Sequence, residues 1–318
     1  VQQVTLNHDT RPTSLPTQGY DVSTPTYVLK IYVLGQFRIE RREGNEWKAV
    51  DGRLWRRRRA RALLGCLLSA AGRRLGREQI MDMLWPNTEI EVAANRLNGA
   101  VHELRQLLEP ELERPASSRL LRLEHDILEL GDSRQIWVDA EAFEQLLREA
   151  DTATNTIQER RYLEQAASLY QGNYLLEELY SEWAILRRDV LQRAWVGLLL
   201  NLAELQNADE EFASAIETLD RLRSADPTNE TALQRLMTLL TRRDRRGEAL
   251  KIYQQHVTML QRDYEGDPLP ETVTLYEALR HGLLPPTTPS PNEQKAEQVP
   301  TTHALGTTSE QPRPQEPA

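Results

Sequence analysis

Six arginines lie close together between Arg53 and Arg61, although the formal net charge of the whole chain is -9. The apolar residues that follow, in 63–68, have the spacing of a helix that begins within this run. Arginine near a helix N-terminus opposes the helix dipole, at a cost of about 0.3–1 kcal/mol per charge. An external anion would offset that cost, most simply the phosphates of DNA. A solvated patch is the alternative. The predicted phosphate-binding residues are Arg56, Arg57, Arg58 and Arg59.

A second set of polar residues lies on one face of a predicted helix within "TEIEVAANRLNGAVHELRQLLEP", residues 88–110. Leu97, Val101, Leu104 and Leu108 recur at the spacing of a buried face. The opposite face carries amide, imidazole and guanidinium groups, which are the groups that read base edges in the major groove of DNA. The alternative is an ordinary solvated helix face. The predicted DNA-binding residues here are Asn95, Arg96, Asn98, His102 and Arg105.

A hairpin is predicted directly after this helix. "RLLRLEHDILEL", residues 119–130, has two short alternating arms on either side of His125 and Asp126. Arg119 and Arg122 on its first arm are candidates for contact with a neighbouring phosphate or the minor groove, and a plain exposed strand face is the alternative.

The elements that must position these residues follow in a definite order. "YVLKIYVLGQFRIE" and "EWKAV" are typical of strands, joined by a turn at "REGN". Helices are predicted over 56–71 and within "GREQIMDMLWP", and Thr88 with Glu91 has the spacing of a capping box that starts the third helix. Sheet, three helices and hairpin form a winged helix-turn-helix with an N-terminal β-platform, in which the third helix reads the DNA.

The rest of the ordered chain is predicted to be all-helical. Apolar residues recur every three or four positions in seven segments, near 139–149, 159–171, 181–206, 211–224, 229–243, 247–262 and 270–280. Ala213 and Ala249 are predicted where helices touch, and Asp226-Pro227 at a turn, as in tetratricopeptide-type helix pairs. The fold class is therefore mostly α, with a winged helix followed by a TPR-like domain.

Four segments follow from this reading. Residues 1–27 and 285–318 are rich in Thr, Pro and Gln. They are predicted to be a disordered arm and a disordered tail. Between them lie a predicted DNA-binding domain at 28–138 and a predicted helical domain at 139–284.

The two predicted domains differ in charge. Residues 30–138 carry 20 basic and 16 acidic residues, whereas 139–284 carry 16 basic and 26 acidic residues. A basic half indicates a polyanionic partner.

Other function classes find no support in the residue pattern. The one cysteine, Cys66, lies among leucines and is interpreted as a small buried hydrophobe in a protein of the reducing cytoplasm. The spacing of the six histidines does not indicate a metal site, and apolar runs fall short of a membrane span. Neither a catalytic triad nor a phosphate loop is present, so we expect no enzymatic activity and no cofactor.

The motifs together resemble the SARP-type transcriptional activators, which join an OmpR-like winged helix to a bacterial transcriptional activation domain. The matching stretches are "LGQF", "RARALLGCLLSAAGRRLGREQIMDMLWP", "AANRLNGAVHELRQLLEP", "VDAEAFEQLL" and the helical segments up to about residue 281. Two features depart from the family: Glu103 and Gln106 stand where basic residues are common, and the sequence contains no Gly-rich phosphate loop like that of the ATPase domain in larger relatives, so a nucleotide-driven switch is absent or lies in a partner or an extension.

The resemblance implies binding of double-stranded promoter DNA and recruitment of RNA polymerase, with protomers side by side on direct repeats. It places the polymerase contact in the loop between the second and third helices, formed by Trp85, Pro86, Asn87 and Thr88. The competing hypothesis is a helical-repeat scaffold whose winged helix binds protein instead of DNA. Glu103 and the acidic second half favour the scaffold, and the arginine run favours DNA.

Overall fold

The computed structural model describes residues 27–50 and 57–283, so the predicted terminal segments, apart from Tyr27, and Arg56 lie outside the described residues. The chain divides into two compact units. The first extends to Ala142 and also contains Gln171–Arg188, and the second contains Phe143–Tyr170 and the chain from Asp189 onward. The predicted domains at 28–138 and 139–284 differ from these units mainly in the segment 171–188.

The platform of the first unit is a four-stranded sheet. Its strands are β1 (Leu29–Tyr32), β2 (Arg38–Glu43), β3 (Glu46–Ala49) and β7 (Ile136–Val138), in the order β3-β2-β1-β7. β1 to β3 form the antiparallel meander that the sequence predicts. β7 pairs in parallel with β1, and the sequence analysis missed it.

Three helices follow the meander: α1 (Arg58–Ser69), α2 (Arg77–Leu84) and α3 (Ile90–Leu108). α1 packs against α3, and the leucines predicted to face inward on α1 are all buried. Gly72 has a φ of 65°, a left-handed conformation that glycine adopts without a steric penalty, and it separates α1 from the next strand. The predicted order of sheet and helices is confirmed.

The hairpin after α3 belongs to a three-stranded sheet. β5 (Leu121–Glu124) and β6 (Ile127–Leu130) pair around His125 and Asp126, and β4 (Arg74–Gly76) pairs with β6. Both turn residues have positive φ, 49° and 59°, as a two-residue type I′ hairpin turn requires. The wing is therefore braced by a strand that precedes α2.

The segment Gln171–Arg188 packs on α1 within the first unit. The Tyr174 hydroxyl lies 3.0 Å from the Ser69 hydroxyl oxygen, and Arg188 donates hydrogen bonds to the carbonyl oxygens of Tyr174, Glu178 and Leu179. A Cβ atom added at Gly65 would lie 2.7 Å from Cη2 of Trp183. Glycine is thus the residue that lets the indole ring approach the α1 backbone.

Two glycine substitutions should have opposite effects on stability. We expect Gly65→Ala to lower the free energy of unfolding by about 1–3 kcal/mol, because the new methyl group overlaps the Trp183 ring. Gly99→Ala in α3 should raise it by about 0.5–1 kcal/mol, because, apart from the adjoining residues and backbone of its own helix, no atom of the described residues lies within 4 Å of the added Cβ. Urea denaturation of the full chain measures both, and a stabilising Gly65→Ala would contradict the close contact.

Arg73 is a buried link between the helices, the wing and the platform. Its guanidinium binds the Glu141 carboxylate and donates to the carbonyl oxygens of Gly131, at 2.8 Å, and Ile136, at 3.2 Å. Its side chain is only 7% exposed. Because β6 ends next to Gly131 and β7 begins at Ile136, one side chain ties together the ends of both sheets.

Asp139 makes a second such link, between the platform and the helix that follows it. Its carboxylate accepts hydrogen bonds from the backbone N–H groups of Val33, Leu34 and Ala140. Burial raises the pKa of Asp139 to about 6, although these three N–H groups act in the opposite direction. The first residue of the next helix is thereby held against the end of β1.

Seven helices complete the described chain, close to the predicted positions: α4 (Asp139–Asp151), α5 (Thr156–Leu169), α6 (Glu182–Ala208), α7 (Phe212–Ala225), α8 (Glu230–Arg242), α9 (Arg246–Asp263) and α10 (Pro270–Arg280). In the second unit α8 packs against both α7 and α9. Ala249 is buried as predicted, but Ala213 is exposed and Ala215 is the buried small residue of α7, so that prediction was wrong by two positions. No helix among the described residues is long and apolar enough to cross a membrane.

Candidate nucleic-acid interface

The exposed face of α3 is the centre of the candidate interface. Leu97, Val101, Leu104 and Leu108 are buried, and they fix the orientation of the helix. The polar residues predicted on the other side stand exposed together: Asn95, Arg96, Asn98 and His102. At about 100° per residue, Asn95, Asn98 and His102 form one stripe along the helix.

Asn98 is held by a residue that the sequence analysis missed. Arg77, the first residue of α2, donates a hydrogen bond from Nη2 to the Asn98 Oδ1 atom over 3.1 Å. The backbone N–H of Arg77 also donates to the carbonyl oxygen of Asp126 at the wing turn. One arginine therefore connects α2, the wing and the exposed face of α3. Its position at a helix N-terminus, where it opposes the helix dipole, is the signal that would have found it.

Arg96 and the loop before α3 form a second contact. Nη1 of Arg96 donates to the Thr88 hydroxyl over 3.2 Å. The predicted capping box of Thr88 and Glu91 is wrong, because the helix begins at Ile90 with Glu89 at the cap position and without a side-chain capping bond. The Thr88 hydroxyl instead accepts from Arg96, which turns the arginine toward the loop.

The loop itself combines exposed polar and apolar residues. Pro86 and Asn87 are exposed, whereas Trp85 and Thr88 are half-buried. The side chains on either side of the loop include Met83 and Ile90, which are 41% and 78% exposed. Two exposed apolar side chains thus lie beside the polar residues of this loop.

Arg105 lies apart from the exposed stripe. Its Nε atom donates to the carbonyl oxygen of Leu121 over 3.0 Å, and burial lowers the pKa of its guanidinium. The side chain thus joins α3 to the first strand of the wing. Its role as a DNA contact stays a prediction, and the contact in the structure is with the wing.

The arginine run is partly neutralised within the chain. Arg57 binds Glu103 of α3 with 2.5 Å between Nη1 and Oε1, and Arg58 lies 3.8 Å from the Glu178 carboxylate. Arg59 is exposed and has no ion-pair partner among the described residues. The dipole cost expected to require an external anion is therefore offset in part by two carboxylates of the same chain.

Arg122 lies on the first strand of the wing, whereas Arg119, predicted on the same arm, lies two residues before β5; both side chains are exposed. Arg122 lies 3.4 Å from the Glu129 carboxylate of the paired strand, and Arg74 of β4 lies 3.8 Å from the same group. The backbone N–H of Arg119 donates to the Glu109 carboxylate, and the residue as a whole is exposed. Exposed ion pairs such as these contribute only about 0–1 kcal/mol, so a phosphate can displace the carboxylate.

Cys66 is buried as the sequence predicts, and burial raises the pKa of its thiol. Within 27–50 and 57–283, no group of three or more His, Cys, Asp or Glu side chains is arranged to hold a metal ion. The candidate interface consists of three parts: the exposed stripe of α3, the arginines at the start of α1, and the wing.

Two family models match the chain. The model described as "Transcriptional regulatory protein, C terminal" matches residues 52–123, and the "Bacterial transcriptional activator domain" matches residues 138–280. Together they cover about two thirds of the chain. The chain is also 25% identical over 220 residues to the regulatory protein AfsR of Streptomyces griseus, covering 69% of this chain but only 22% of that protein.

A solved structure shares the fold. It is that of EmbR from Mycobacterium tuberculosis in complex with a low affinity phosphopeptide, with a TM-score of 0.63 and 21% sequence identity. The match covers 86% of this chain and 69% of that one. With a winged helix and a bacterial transcriptional activator domain in this order, the chain belongs to the SARP-type family of transcriptional regulators.

Proposed function

We propose that the protein binds double-stranded promoter DNA in a sequence-specific manner, with α3 in the major groove and the wing against the backbone. One observation carries this proposal. Asn95, Asn98 and His102 stand exposed on one stripe of α3, while the opposite side of the helix is buried in the core of the first unit. Asparagine pairs with adenine through two hydrogen bonds, and each such pair contributes about 1–3 kcal/mol of discrimination.

The charged residues around α3 supply the contacts that do not depend on sequence. Arg57 precedes α1 and Arg58 and Arg59 begin it, Arg122 lies on β5 of the wing, and Arg119 lies two residues before β5. Arginines of this kind bind phosphates, and they determine where the protein sits on the duplex.

Recruitment of RNA polymerase is the second part of the proposal. The loop Trp85–Thr88 presents Pro86 and Asn87 to solvent beside the exposed Met83 and Ile90. Such a surface suits a protein partner, and in this family the loop between the second and third helices is where we expect the polymerase to bind. Side-by-side binding of two protomers on direct repeats stays a prediction from the same resemblance.

Replacing Arg57 and Arg58 together by alanine should weaken binding to every duplex by a similar factor. Each lost phosphate contact should also reduce the slope of log K against log salt by about 1. Fluorescence anisotropy with a random duplex, at several salt concentrations, measures both quantities. A matched control is Arg245→Ala with Arg246→Ala, two exposed arginines of the second unit.

The same titration separates DNA binding from the scaffold hypothesis. A DNA-binding protein loses affinity steeply as salt rises, because phosphate contacts release counterions. A wild-type protein that binds no duplex, or binds with an affinity independent of salt, would favour the scaffold and contradict the proposal.

A further inference from the structure

Glu103 is an unexpected residue for a DNA-facing helix. Apart from Glu91 in the first turn, it is the acidic residue of α3, and it adjoins the exposed His102. A free carboxylate at this place would repel phosphates. The Glu103 side chain is only 16% exposed, however, and its Oε1 atom lies 2.5 Å from Nη1 of Arg57.

The Arg57–Glu103 pair leaves most of the guanidinium available. Only the Nη1 group of Arg57 donates to Glu103, and the arginine side chain is 52% exposed. The second carboxylate oxygen, Oε2, is buried and has no hydrogen-bond partner among the described residues. The carboxylate thus faces the protein and the arginine faces solvent, so the pair presents a positive charge to its surroundings.

Among residues 27–50 and 57–283, Glu103 is the acidic side chain that pairs with the Arg57 guanidinium. Arg57 is the residue before α1, and the first turn of that helix contains no acidic side chain. A long arginine side chain carries about 2 kcal/mol of rotamer entropy when it is free, and a fixed one has less entropy to lose when it binds a phosphate.

We propose that Glu103 is a positioning residue for DNA binding: it holds the Arg57 guanidinium beside α3, so that its remaining N–H groups meet a backbone phosphate. This inference rests on the proposed DNA-binding function. It also accounts for an acidic side chain on this helix, since the arginine that contacts the phosphate comes from the start of α1.

A double-mutant cycle on the full chain tests the inference, with a fluorescent random-sequence duplex as the probe. Glu103→Ala should weaken binding by about five- to tenfold, the equivalent of one net hydrogen bond. Glu103→Gln should bind within about twofold of the wild type or more tightly, because the amide oxygen still accepts from Arg57. In an Arg57→Ala background, Glu103→Ala should no longer weaken binding, because the group that it positions is absent.

The contrasting outcome is equally clear. If Glu103 merely repels DNA, Glu103→Ala and Glu103→Gln strengthen binding by the same factor in both backgrounds, and the inference is wrong while DNA binding stands. If the wild-type protein binds no duplex in a salt-dependent way, the proposed function itself fails. Thermal melts of each variant exclude unfolding as the cause of a change in binding. Arg57 is exposed, so we expect Arg57→Ala to fold normally, and its binding can be interpreted even if Glu103→Ala melts at a lower temperature.

Discussion

Replacing Asn95 and Asn98 together by alanine should abolish most of the preference for the cognate site. Each asparagine in a bidentate pair with adenine contributes about 1–3 kcal/mol, so the loss of two such pairs should lower the ratio of cognate to random affinity by about 30-fold or more. Affinity for random duplex should change by no more than about twofold, since phosphate contacts remain. Sites selected from a random duplex pool supply the cognate sequence, and competition binding measures the ratio.

The fold should tolerate this double substitution. Both side chains are exposed, and alanine has a higher helix propensity than asparagine. The matched control is Gln254→Ala with Gln255→Ala, two exposed amides on α9 of the second unit, which should leave the ratio unchanged. An equal loss of cognate and random binding would mean that the stripe contacts phosphates rather than bases.

Arg73→Ala should have the largest effect on stability. The substitution leaves the Glu141 carboxylate and the carbonyl oxygens of Gly131 and Ile136 without their donor. The Glu141 side chain is half-buried, whereas the hydrogen bonds to the two carbonyl oxygens are buried, and each buried acceptor left unpaired costs about 1–3 kcal/mol, so we expect a total loss of about 3–5 kcal/mol. We expect the free energy of unfolding of the first unit to decrease by this amount. Urea denaturation, monitored by Trp fluorescence, measures it.

The adjacent residue provides the control. Arg74 is 56% exposed and lies 3.8 Å from Glu129, so Arg74→Ala should change stability by less than about 1 kcal/mol. Similar losses for the two variants would show that the internal hydrogen bonds of Arg73 contribute little.

The sequence predicts the helices of this protein far better than its sheets. The helices repeat apolar residues over several turns, so their period can be recognised in the sequence. β4 and β7 are only three residues long, which is too short for a period to be recognised. A strand of that length is defined by its partner, such as β1 for Ile136–Val138, and partners distant in sequence cannot be read from local pattern. For the same reason the place of Gln171–Arg188 in the first unit was not foreseen.

The candidate interface was likewise predictable from the sequence only in part. The exposed stripe of α3 follows from the spacing of Leu97, Val101 and Leu104, because helix geometry alone fixes the opposite face. The contacts of Arg57 with Glu103 and of Arg77 with Asn98 join residues 46 and 21 positions apart, and only the folded chain brings them together. Residue types therefore predicted the surface, and tertiary structure determined how each charge is held.

The central claim, that the free face of α3 enters a duplex, can be tested with a single label. Cys66 is the one cysteine of the chain and is buried, so His102→Cys provides a single reactive thiol for an iron chelate that cleaves nearby DNA. Cleavage of a selected duplex within the bound site is the predicted result, with none from a chelate at Gln254→Cys. Bound protein that leaves the duplex uncut from position 102 would contradict the account.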